Sequence, residues 1–439
     1  MSNRIQRIVI AGGGTAGWMA AGLLSQTLGE SVEIKLVESD EISTVGVGEA
    51  TIPPLQTFHR MMGVNEQEFL AEVNGTFKVG IQFENWRERG HEYIHSFGHA
   101  GQDGWACPFV HFWLAGKAKG IDYPYGDYCA ELLAAYQGKF AVLPKGRMNY
   151  AYHMDAGRYA AFLRRRSERL GVERVEGKIE KVNVNPANGE IQSLLLASGR
   201  QVDGDFFIDC TGFRGLLIEQ TLHAGFEDWS HWLPCDRALA VQTESVREPL
   251  PYTRSIAHGA GWQWRIPLQN RVGNGLVYAG RYMDDDQARE LLLGNLEGDP
   301  ITEPKSIQFR TGTRRKHWVK NCLSLGLASG FLEPLESTSI HLVQRSLVRF
   351  IQLFPTVSEC GDAGVEPSLI DEFNQQTKVE VERIRDFIIL HYKVTQRDDT
   401  PFWRYCRAMD IPDALRQRIQ LAACSKGGGY RKWYRRCTL

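Results

Sequence analysis

The chain has 439 residues, 43% hydrophobic, 10% aromatic and 23% charged. That is ordinary globular usage, and it excludes a disordered, collagen-like or disulfide-scaffold chain. Lysine plus arginine (51) balances aspartate plus glutamate (52), so no global field directs the protein to nucleic acid or to an anionic membrane. Nine scattered cysteines with no C-x-x-C pair suit reduced thiols in a cytosol. No apolar stretch approaches the roughly 18 residues of a spanning helix, and the apolar run before the first glycines is too short for a signal peptide. The expectation is a cytoplasmic protein with neither a membrane nor a nucleic-acid partner.

In chain order, Arg7–Ala11 (RIVIA) reads as a buried strand and Gly12-Gly13-Gly14 breaks it. Thr15–Leu28 carries apolar residues at helical spacing, and Val32–Glu38 is a second strand ending on an acid. G-x-G-x-x-G falls on Gly12, Gly14 and Gly17. In a β-α-β unit these glycines allow a tight turn, a close approach of backbone to a pyrophosphate, and close packing of helix on strand. The pyrophosphate would sit at the helix N-terminus, and Glu38 is placed to accept from ribose hydroxyls. This predicts a dinucleotide site without choosing between FAD and NAD.

Two later segments favour FAD: Asp205–Arg214 (DFFIDCTGFR) and Cys322–Pro334 (CLSLGLASGFLEP), each an apolar strand running into a turn of small residues. Ahead of the first, Met154–Val172 predicts an amphipathic helix and Val182 lies in a strand of a hairpin that turns at Pro186–Gly189, and after the second, residues 372–393 predict a long helix. His91, His95 and His99 are four apart, but the stretch EYIHSFGHAG at 92–101 holds two glycines and alternates like a strand, so no metal site is expected.

Four motifs together resemble the flavin-dependent halogenases, the family that includes the tryptophan halogenases. They are GGGTAGW at 12–18, GVGEAT at 46–51, WQWRIP at 262–267 and FLEPLESTSIHL at 331–342, and the lysine of GTFKVG, Lys78, matches in place and context. The resemblance runs in unbroken order from residue 5 to about residue 420. It implies an α/β fold, an FAD-binding Rossmann-like flavoprotein of the glutathione-reductase/hydroxylase type with an interleaved substrate subdomain. Cofactor segments would cover about 5–80, 150–215 and 305–350, and substrate segments about 81–149, 216–304 and 351–420.

The resemblance further implies that reduced flavin and dioxygen give a C4a-hydroperoxide, which oxidises chloride or bromide to hypohalous acid. Lys78 would direct that oxidant, by a hydrogen bond or as a haloamine, and Glu336 would polarise it and accept the ring proton. An ordinary lysine is protonated and a poor nucleophile, and burial lowers its pKa. Lys78 sits in the apolar, glycine-containing stretch FKVGIQF, an odd place for a solvated lysine, although a snorkelling strand-edge lysine is the plainer alternative.

Beyond Gly12, Gly14, Gly17 and Glu38, the expected cofactor contacts are Thr15, Ala16, Ala50, Val182, Leu327 and Ile340. Thr338 and Ser339 would offer backbone amides to the halide, although Glu336-Ser337-Thr338 also reads as a plain helix start. His95 and Phe97 would line the substrate pocket together with Glu336. Trp262 and Trp264 are read as markers of the family that face opposite ways.

The implied partners are a separate flavin reductase delivering FADH2, a small indole- or tryptophan-like aromatic, and room for a homodimer. Alternatives are an FAD-dependent aromatic hydroxylase that oxidises NADPH itself, or an inactive flavin-binding relic. The second arises because residues 421–439 (LAACSKGGGYRKWYRRCTL) hold five basic residues and no acids and look unlike what precedes them, through a frameshift or as a natural short form.

Overall fold

The computed structural model describes residues 5–41, 48–142, 148–355 and 365–424. Residues 46 and 47 of the GVGEAT motif and the basic tail from 425 onward lie outside the described residues. The chain divides into two units, each assembled from three stretches: 1–75, 154–231 and 308–382 in the first, and 76–153, 232–307 and 383–439 in the second.

The first unit is built on a parallel sheet. Glu173–Glu176, Glu33–Glu38, Arg7–Ala11, Phe206–Asp209 and Cys322–Ser324 lie side by side, with Trp318–Val319 antiparallel at the edge. Ile8, Val9, Ile10 and Ala11 are all fully buried, which is why this strand reads as an unbroken apolar run. Burial of each larger aliphatic side chain contributes about 1.5–3 kcal/mol. Val9, Ala11, Val37, Phe207 and Cys322 face a core shared with Ile191 and Leu194 of a three-stranded antiparallel sheet. The helix Thr15–Leu28 packs against Arg7–Ala11 and against the helices Ala156–Arg169 and Ser339–Gln352.

The sequence reading placed one helix start too early, at Met154. Met154 and Asp155 still belong to the strand Ala151–Asp155, and the helix begins at Ala156 because the Asp155 carboxylate accepts from the Arg158 N–H at 3.0 Å. An aspartate cap of this kind ends the strand and starts the helix at one residue. The second strand begins at Glu33, and the long helix begins at Pro367, earlier than expected.

In the second unit, Arg237–Thr243, Val272–Tyr278, Gly261–Pro267, Thr253–Ala257, Gly80–Glu84 and Glu92–Ser96 form one sheet. Every neighbouring pair is antiparallel except Thr253–Ala257 with Gly80–Glu84. The expectation that Trp262 and Trp264 face apart is wrong: a strand has a period of two, so residues i and i+2 share a face. Their ring centroids are 6.2 Å apart, and Trp262 also packs against Trp86. The short strand Thr76–Lys78 pairs antiparallel with Ala151–Asp155, with Thr76 opposite His153 and Lys78 opposite Ala151.

Candidate functional site

In the first unit the glycine loop meets both later segments at the carboxyl ends of the parallel strands, where open α/β sheets bind ligands. A Cβ on Gly12, whose φ is +108°, would lie 2.3 Å from the Cys210 carbonyl oxygen, and one on Gly17 would lie 1.9 Å from the Gly12 oxygen. These two glycines are needed for the fold itself. Gly14 differs: nothing lies within 4 Å of its would-be Cβ, so that side of the loop is open. This arrangement fits a dinucleotide pyrophosphate lying over Gly14.

The two FAD segments pair directly. Phe207 is opposite Cys322, Asp209 is opposite Ser324, and the Phe213 and Phe331 rings meet edge to face at 5.7 Å. Leu327 follows Gly326, whose Cβ would fall 2.9 Å from that of Ala16. The carboxylate of Asp209, fully buried, accepts from the Thr211 N–H and hydroxyl and from the Leu217 and Ile218 N–H groups, at 2.7–2.9 Å. It ties the turn after the strand into one shape. The signal for Asp209 in the sequence is an acid that ends an apolar strand.

Glu38 stands over the loop and is already held. Arg174 donates to it at 2.6 Å and the Trp18 indole N–H at 3.3 Å, and Arg164 adds a weaker contact at 3.5 Å. The arginines come from separate elements, so spacing along the chain could not announce them. Thr15 donates a long hydrogen bond to the Ala156 carbonyl, and Ala50 is buried in the strand Gly48–Ala50. Val182 is partly buried and packs against the aliphatic core.

The PLEST turn is a single 3₁₀ turn, Pro334–Glu336, followed by Ser337 in the left-handed region at φ +58° and then by the helix Ser339–Gln352. Glu336 and Thr338 are buried, as is Glu333, a second carboxyl that the sequence reading passed over. Holding a serine in the left-handed region costs of order 1 kcal/mol. The result is a rigid corner that presents Glu336 just before the first-turn N–H groups of a long helix. Ile340 is buried on that helix, and Ser339 is half-buried.

In the second unit Lys78 is fully buried, and its Nζ lies 5.3 Å from the centre of the Phe97 ring. Phe97 is tethered there because its N–H donates to the carbonyl of Val79, next to the lysine, at 2.8 Å. Val79 in turn donates to Pro251. The snorkelling alternative is thereby excluded. His95 lies on Glu92–Ser96 opposite Ile81, and its ring meets Phe387 edge on at 5.7 Å. Among the described residues no group of three or more histidine, cysteine or carboxylate side chains is placed to hold a metal ion, and no helix is long and apolar enough to cross a membrane.

His153 went unnoticed in the sequence. It is wholly buried beside Lys78, with Nδ1 3.0 Å from the Thr76 hydroxyl and Nε2 2.9 Å from the Thr253 hydroxyl. Burial, and then the Lys78 ammonium, hold its pKa well below the usual histidine range.

Comparison with known proteins gives one answer. A family model described as tryptophan halogenase matches residues 7–433, past residue 420 where the motifs alone ended the resemblance. The tryptophan 7-halogenase RebH of Lentzea aerocolonigenes is 38% identical over 96% of this chain and 82% of its own length, and the tryptophan 6-halogenase ThaL of Streptomyces albogriseolus is 37% identical over the same shares. Among solved structures, the flavin-dependent halogenase Xcc4156 from Xanthomonas campestris superimposes with a TM-score of 0.92 at 57% identity, covering 95% of this chain and 83% of that one. BrvH, a flavin-dependent halogenase from Brevundimonas sp. BAL3, gives 0.90 at 44% identity, covering 95% and 84%. On this agreement over nearly the whole chain, the protein belongs to the tryptophan halogenase family, flavin-dependent enzymes that use a halide and dioxygen.

Proposed function

We propose that this protein chlorinates or brominates an electron-rich, indole- or tryptophan-like aromatic, using FADH2 made by a separate reductase. The observation that carries the reading is Lys78, a fully buried amine 5.3 Å from an aromatic ring centre. Burying a lysine is costly, and in this family context the cost is met at the position of GTFKVG where the oxidant is to be directed. When bound, reduced FAD supplies from dioxygen the oxidising power that makes the halogen electrophilic.

Gly12, Gly14, Thr15, Ala16 and Gly17 would hold the pyrophosphate and Glu38 the ribose, while Ala50, Val182, Leu327 and Ile340 would complete the FAD site. The first-turn amides at Thr338 and Ser339 would bind the halide, since free N–H groups and the helix dipole favour an anion there. Lys78 holds the electrophilic halogen, by a hydrogen bond or as a haloamine, and its burial shields that halogen from bulk solvent. Glu336 accepts the proton that the ring loses. His95 and Phe97 orient the ring.

The test is a panel of indoles, phenols and pyrroles incubated with the protein, FAD, NADH, a flavin reductase and either bromide or chloride, read by mass spectrometry. A halogen-shifted product from at least one indole is expected. No such product, with rapid NADPH consumption in the absence of reductase, would replace this reading by an aromatic hydroxylase.

A further inference from the structure

We infer that His153 is a positioning residue for Lys78: a neutral imidazole, pinned at both ring nitrogens, that fixes the space in which the lysine amine works. The inference rests on the proposed role of Lys78 and adds a group that acts only through it.

The geometry assigns the tautomer. The Thr76 hydroxyl has one hydrogen and donates it to the Pro267 carbonyl at 2.7 Å. Toward His153, 3.0 Å away, the same oxygen therefore accepts, and the imidazole proton is on Nδ1. Nε2 is then a lone pair, and the Thr253 hydroxyl donates to it at 2.9 Å. The relay Thr253, His153, Thr76, Pro267 is complete, with each donor matched to an acceptor. A second ring proton would make the Thr253 hydroxyl turn from donor to acceptor and would set a second positive charge, buried, beside the Lys78 ammonium.

The relay ends on residues that already matter. Pro267 closes the WQWRIP motif, and Thr76 is two residues before Lys78, on the same face of its strand. Lys78 is opposite Ala151, whose methyl fills little space, so the His153 ring is the bulky diagonal neighbour across the pair. Pinned at both ends, that ring cannot rotate into the volume of the lysine amine. The WQWRIP proline thus has a mechanical use: its carbonyl anchors the chain of bonds that sets Lys78.

The experiment compares the parent with His153→Phe, His153→Asn, Thr253→Val and Lys78→Ala, as full-length protein with reduced FAD, bromide and indole as the probe substrate. A loosened reacting geometry of about 1 Å costs on the order of 100-fold. His153→Phe should therefore lower kcat for bromination by about 10- to 100-fold, while KM for indole, FAD affinity and flavin reoxidation stay within about twofold. His153→Asn keeps a donor toward Thr76 and should recover most of that loss. Thr253→Val, which swaps a hydroxyl for a methyl of the same size, should fall between them, and it decides the matter if His153→Phe does not fold.

Parental kcat in His153→Phe or Thr253→Val would overturn the inference and leave Lys78 in its role, as would a loss that tracks FAD affinity and melting temperature. Parental bromination by Lys78→Ala, or no product from the parent, would instead overturn the functional reading and this inference with it.

Discussion

Two glycines of one motif should fail in different ways when substituted. Gly14 has φ −72° and ψ −177°, extended backbone that any residue adopts, and its would-be Cβ meets no atom within 4 Å. Valine there should cost the fold about 1 kcal/mol or less, the usual penalty for a poor residue at a helix N-cap. It would, however, fill the approach to the pyrophosphate. Each hydrogen bond from a backbone N–H to a charged phosphate is worth about 1.5–3 kcal/mol, so losing one or two raises Kd by roughly 10- to 10⁴-fold. Gly17 is the reverse case, since a Cβ would lie 1.9 Å from the Gly12 carbonyl oxygen, which is backbone and cannot step aside. Gly17→Ala should destabilise the apoprotein by about 3 kcal/mol or more. The assays are thermal melting without cofactor and FAD titration by fluorescence quenching. Parental FAD affinity in Gly14→Val, or melting of Gly14→Val as low as that of Gly17→Ala, would refute the assignment of this loop.

Glu336→Gln should slow halogenation by about 10²–10⁴-fold, the usual worth of a positioned acid or base, with FAD affinity nearly unchanged; product rates and FAD titration measure both. Asp209→Asn turns an amide N–H₂ toward some of the four donors that the carboxylate satisfies. It should cost about 2–4 kcal/mol and weaken FAD binding, checked by urea unfolding and titration. Stability should also fall on acidification. Burial lowers the pKa of His59 to about 3 and of His317 and His341 to about 4, so each stays neutral in the folded state while the unfolded chain takes up a proton below about 6.5. The contribution is intact above pH 6.5 and is lost as pH falls toward 4, at about 3 kcal/mol per histidine. A urea midpoint that is flat from pH 7 to pH 5 would contradict this.

The nucleotide half of the fold was legible because its signals are local. A strand, a glycine turn, a helix and an acid follow one another, and Arg7–Ala11 and Thr15–Leu28 came out as read. Lys78 was legible only through a motif, since Phe97 and His153, which stand beside it, come from segments distant in the chain. His153 gave no signal of its own: in AYHMD it is one polar residue in a strand, and its partners are Thr76 and Thr253. The arginines on Glu38 were invisible for the same reason. The helix Phe109–Ala118 makes the opposite point, because its apolar sequence reads as core and yet none of its residues is buried. Hydropathy states what a segment prefers, not what is there to cover it.

The most direct test of the account is Lys78→Ala measured beside the parent, with reduced FAD, oxygen and bromide, on whichever aromatic the panel identifies. Flavin reoxidation and halogenated product are followed together, in the presence of a hypohalous-acid scavenger that removes leaked oxidant. The account predicts parental flavin reoxidation with no enzyme-directed product from Lys78→Ala. Near-parental halogenation by that variant would contradict it.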